Sequence, residues 1–94
     1  MPDIRDILQL KPIDTEICGY QVRILRPTLA DLVDAIRVNQ ADPVEAKCWM
    51  LVRHLRTRDG EQVFPDIASA SLAPARFAAE CVAEIERLYN EGSD

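Results

Sequence analysis

Apolar positions change their spacing along this chain, and each change predicts an element. Ile4, Ile7 and Leu8 stand at i, i+3 and i+4, the pattern of a short helix with one sticky side between Pro2 and Leu10. Lys11-Pro12 breaks it. From Ile13 the period shortens to two, with Tyr20, Val22 and Ile24 alternating with Gln21 and Arg23. Cys18-Gly19 supplies a turn, so Ile13–Ile17 and Tyr20–Leu25 are expected to pair as a hairpin. A lone hairpin is barely stable in water, so one face should lie on the helices that follow.

Beyond Pro27 the spacing becomes helical. Thr28 is an N-cap residue with Asp31 in the first turn, and Leu29, Leu32, Val33 and Ile36 form an apolar stripe opposed by Asp31, Asp34 and Arg37. Asp42 caps a second helix, with Pro43 in its first turn and Glu45 in a capping-box-like place. Val44, Cys48, Leu51, Val52 and Leu55 share a face to about Thr57, and Asp59-Gly60 is expected to end that helix. Glu61–Phe64 is a short extended piece, Asp66–Ser71 a single capped turn, and Pro74 opens a last helix to about Asn90. On that helix Phe77, Ala78, Cys81, Ile85, Leu88 and Tyr89 face one way and Arg76, Glu80, Glu84 and Arg87 the other. The expected fold is mainly α within an α+β frame: about three main helices behind an N-terminal β-hairpin. It forms one domain over residues 1–94, with the short helix and hairpin in 1–26 and the helical part in 27–91.

Composition narrows the class. Ninety-four residues make one small domain, and 48% hydrophobic, 29% charged residues and only 3 glycines exclude a disordered tail or a collagen-like chain. The longest apolar run, Cys48 to Val52, is far short of the ~20 residues a membrane helix needs. Asp3 and Asp6 stand where a secretory signal would carry basic and apolar residues. Scattered Cys18, Cys48 and Cys81 fit reduced thiols, so a cytoplasmic protein is expected. With 11 basic against 16 acidic residues the net charge is −5, which weighs against nucleic acid as a partner.

Chemistry is sparse. The sole histidine, His54, has Met50 and Arg58 at i−4 and i+4, neither a metal ligand, and is expected as an exposed residue near a helix C-terminus. Glu80 and Glu84 belong to a solvated face, and no phosphate-cradling or nucleophile motif is present. The expectation is a non-enzyme without cofactor or metal. Arg53, Arg56 and Arg58 suit the end of a helix, with anion binding as the competing use. Trp49 and Met50 turn about 100° and 200° away from Cys48 on a helix. Their helix is therefore either buried on two sides or presents an apolar patch to a partner.

In series, these segments resemble a known family. Arg26-Pro27-Thr28-Leu29-Ala30-Asp31 runs from a strand end into a capped helix. An apolar helix then closes in Leu55-Arg56-Thr57-Arg58-Asp59-Gly60-Glu61-Gln62-Val63-Phe64, and Leu72-Ala73-Pro74-Ala75 opens the last helix. Over nearly the whole chain this is similar to the tail assembly chaperones of long-tailed bacteriophages and prophages. The resemblance implies a non-virion protein that coats the tape-measure protein, keeps it soluble and helps recruit tail tube subunits. Self-association into a homo-oligomer along that long client is a corollary, and no membrane is involved. The family pattern carries no residue-level binding motif. Helix geometry instead nominates Ile4, Ile7, Leu8, Tyr20, Val22, Trp49 and Met50, with Arg53 beside them, as partner-binding residues. The rival reading is a small helix-turn-helix-like regulator, built on the spacing of Thr28–Val38 and Asp42–Thr57 and on the arginine cluster.

Overall fold

A computed structural model describes Asp3, Arg5 and residues 11–91. The expected hairpin forms, its second strand one residue shorter than expected: β1 (Ile13–Ile17) pairs antiparallel with β2 (Tyr20–Ile24), Ile13 facing Ile24 and Thr15 facing Val22. Cys18 and Gly19 both take positive φ, 53° and 83°, as a two-residue turn between twisted strands demands. Ile17, Val22 and Ile24 point into the core, while Asp14 and Arg23, cross-strand neighbours, pair at 2.7 Å on the outer face.

Helix α1 (Leu29–Ala41) starts at a reciprocal capping box. The Asp31 N–H donates to Thr28 Oγ1 (3.2 Å), and the Thr28 N–H donates to Asp31 Oδ2 (2.9 Å). Helix α2 (Pro43–His54) follows with one intervening residue, Asp42, whose Oδ1 accepts from the N–H groups of Val44 and Glu45. The expected extension of this helix to about Thr57 is wrong. It stops at His54, and Leu55–Arg56 form a third strand, β3, antiparallel to β2. Tertiary structure overrides helix propensity here. The open edge of β2 needs a hydrogen-bonding partner, the Leu25 N–H finds the His54 carbonyl (2.9 Å), and Leu55 drops fully into the core. The Asp59-Gly60 turn, with Gly60 at φ 90°, then closes a loop that brings Gln62 back to bridge Arg56. The sheet thus draws its third strand from the middle of the helical part, 27–91.

Asp66 caps the four-residue α3 (Ile67–Ala70), and α4 (Ala75–Glu91) is the last described element. Among the described residues, three long helices, one short one and a three-stranded antiparallel sheet make an α+β domain. Its core joins Ile17, Val22 and Ile24 of the hairpin, Leu51 and Leu55, Ala70, and Cys81, Val82, Ile85 and Leu88 of α4. Lys47 and Glu86 tie α2 to α4 at 3.1 Å. Helix α2 is central, packed by α1, α3 and α4. Among the described residues no helix is long and apolar enough to cross a membrane.

Candidate functional site

Helix α1 inverts the usual arrangement. The side it lays on α2 carries Asp31 and Ala35, both buried, and the half-buried Val38. The apolar stripe expected to be its inner face looks outward instead: Leu29, Leu32, Val33 and Ile36 are 76%, 42%, 47% and 51% exposed. At 100° per residue the centre of that stripe is roughly 140° around the helix from the packed face. Asp31, expected opposite the core, is in it.

A local charge constellation accounts for this orientation. As the third helical residue, Asp31 is held by the capping box, and its two oxygens also accept from Arg53 Nε (2.8 Å) and Nη2 (3.3 Å) on α2. Burial works to raise the Asp31 carboxyl, yet the Thr28 N–H and then Arg53 outweigh it and hold the group below the ordinary carboxylate range. Once those bonds fix which side of α1 meets α2, the helical period sends the leucines the other way.

The outward stripe borders a groove. Pro27, Thr28, Leu29 and Leu32 on one wall and Leu88, Tyr89 and Asn90 of α4 on the other enclose an open hollow of about 580 Å³. It continues past Leu32 to Ile36 and Asn39, with Met50 and Glu86 against it. Behind this groove lies a buried polar relay. The His54 Nδ1–H donates to the Leu25 carbonyl (2.9 Å), and Nε2 accepts from the Tyr89 hydroxyl (2.6 Å), a tautomer assigned from these partners. The expectation of an exposed histidine is wrong: His54 is 0% exposed. Desolvation lowers its pKa, with the Leu25 carbonyl pulling the other way, so the ring stays neutral near pH 7. Burial likewise raises the Tyr89 hydroxyl and pushes the Cys81 thiol up to about 12. The relay locks the hairpin, α2 and α4 together, and both ring nitrogens are occupied.

The nominated partner residues disperse. Ile4, Ile7 and Leu8 lie outside the described residues. Tyr20 is exposed on a different patch, edge-on to Phe77 with ring centroids 6.0 Å apart. Val22 is no surface residue: its place on the inward side of β2 leaves it 4% exposed. Trp49 and Met50 are both half-buried, Trp49 edge-on to the His54 ring at 5.9 Å and Met50 packed against the core beside the groove. Arg53 is held by Asp31. Its cluster mates are also engaged by backbone: Arg56 donates to the Val52 and Leu55 carbonyls, and Arg58 to those of Val22 and Thr15. Of the nominated residues that the structure describes, only Met50 lines the groove, and sequence reasoning missed Leu29, Leu32, Ile36, Leu88 and Tyr89 as its walls. The available signal was Asp31, a carboxylate placed to complete a capping box within a helix followed closely by three arginines.

Among the described residues no three His, Cys, Asp or Glu side chains are grouped to hold a metal ion. The chain matches no family model, no curated protein and no solved structure.

Proposed function

We propose that this chain is a non-enzymatic phage tail assembly chaperone that binds the tape-measure protein, keeps it soluble and helps recruit tail tube subunits. The observation that supports this reading is the outward apolar stripe of α1. Four of the seven large hydrophobic side chains exposed among the described residues stand together on that one helix. Scattered exposed aliphatics need no explanation, but a contiguous set beside a groove is the signature of a docking surface. Leu29, Leu32 and Ile36 recur at the spacing that meshes with an amphipathic helix, the form expected of a coiled-coil-like tape measure. The client's apolar stripe would lie against α1 and the wall formed by Leu88 and Tyr89. The acidic excess of the chaperone, net −5, would keep the complex dispersed.

Co-expression with a phage tape-measure protein tests this. The wild-type chain should raise the soluble fraction of that product several-fold, and Leu32→Glu with Ile36→Glu should abolish the gain while leaving the circular dichroism spectrum of the chaperone unchanged. A tape measure that stays insoluble with the wild-type chain overturns the reading.

A further inference from the structure

The groove beside α1 does not end at Glu86. On its other side the same residue borders a second hollow, of about 500 Å³, between α2, α3 and α4, with Val44, Lys47 and Cys48 on the α2 wall. One side of α4 floors both: Ala75, Ala79, Ala83, Glu86 and Asn90 recur every three or four positions, a run of about 22 Å. The two halves differ in relief. Along the Asn90 half stands the α1 ridge of Leu29, Leu32, Val33 and Ile36, all exposed. Along the Ala79 half the floor is methyl groups, with exposed Val44 on the rim and exposed Leu72 between Ser71 and Ala73 of the lining. Where the halves meet, Lys47 and Glu86 pair at 3.1 Å with both side chains reaching solvent. We propose that a second copy of this chain covers this face, related by a two-fold axis through the Lys47–Glu86 pair, so that the α1 ridge of each copy seats in the alanine hollow of the other.

Three observations carry this. The first is relief. Ridge and hollow lie at opposite ends of one furrow, and a two-fold axis between them sets each on the other, an isologous contact that closes at two copies. The second is size: Leu29 to Ile36 rises about 10 Å and Ala75 to Ala83 about 12 Å, and large side chains pack well against small ones. The third is charge. The axis sets Lys47 of one copy against Glu86 of the other, so each group meets its opposite and never its like. Such a contact removes from water six of the seven large hydrophobic side chains exposed among the described residues, all but Tyr20. It also covers the stripe assigned above to the client, so a client helix binds only the fraction of chains released as single copies. That competition rests on the function proposed above, whereas the dimer does not.

Sedimentation equilibrium on the full chain tests it. The wild type should have twice the monomer mass at about 500 μM and dissociate below about 1 μM, the range of a small interface. A79E, which fills the hollow from an exposed helix position, should be monomeric at the higher concentration with an unchanged circular dichroism spectrum. K47E and E86K should each be monomeric alone, because like charges then meet across the axis, and an equimolar mixture of the two should re-form the dimer. A wild type that is monomeric throughout, its face left open or covered by other residues of its own chain, overturns the proposal. So does a mass that grows beyond two copies, an A79E variant that still dimerises, or a mixture that stays monomeric. A79E leaves the α1 stripe intact and should keep the tape-measure gain. A wild type that dimerises as described yet gives no gain would remove the chaperone reading and leave the dimer standing.

Discussion

Helices α1 and α4 carry equally legible apolar stripes and use them in opposite ways. In α4 the stripe is buried: Cys81, Ile85 and Leu88 face the hairpin and α2. The opposite face is laced with surface ion pairs, Arg76 with Glu80 and Arg87 with Glu84 and Glu91. In α1 the stripe faces solvent and a buried Asp31 takes the inner position. Periodicity therefore says which face of a helix is apolar, not which face is covered. In α4 the hydrophobic effect decides. In α1 a bidentate Arg53–Asp31 bond joined to a capping box decides, and the apolar face is left for something else.

Truncating one isoleucine on each helix breaks the comparison most sharply. Ile85→Ala should cost about 2–5 kcal/mol in urea unfolding, since Ile85 is fully buried and a cavity remains. On α1, Asp31→Ala should cost about 1–3 kcal/mol, by removing both the capping carboxylate and the partner of Arg53. It stays below the cost of breaking a fully buried pair because the Arg53 side chain is 38% exposed and water screens it. Smaller again is the acid sensitivity of the relay behind the groove. An unfolded chain takes up a proton on His54 as pH falls through its ordinary value of 6.5, whereas the folded chain resists because desolvation lowers the pKa. Stability should hold above pH 6.5 and decline below it until the lowered folded value is passed, a slope that His54→Gln should flatten. Asp31 contributes in a separate window, below its ordinary 3.8, so the two slopes are resolvable in one pH series. The smallest effect belongs to Ile36→Ala, less than about 1 kcal/mol by the same urea measurement, because the side chain is half in water already. A cost for Ile36→Ala equal to that for Ile85→Ala would mean the two helices are alike after all.

Elements governed by local chemistry are legible in the order of residues alone. The Cys18-Gly19 turn, the Thr28, Asp42 and Asp66 caps and the inner face of α4 all depend on residues within a few positions of one another. What escapes such a reading depends on distant partners. The end of α2 at His54 answers to the unpaired edge of β2, thirty residues earlier in the chain. His54 is buried because Leu25 and Tyr89, from two other parts of the fold, satisfy its nitrogens. The groove escapes for the same reason, since its walls are far apart along the chain and Asp31 turns α1 only after Arg53 is in reach.

No loop separates α2 from β3: His54 is the last helical residue and Leu55 the first of the strand. That junction leaves evolution little freedom to vary chain length there. One inserted residue would swing Leu55, now wholly enclosed, to the outer side of the sheet and carry the guanidinium of Arg56 inward. A few residues further on, the open Asp59-Gly60 turn has space around its glycine and could absorb extra residues at little cost. Length variation among descendants of this chain should accumulate at the turn and spare the joint.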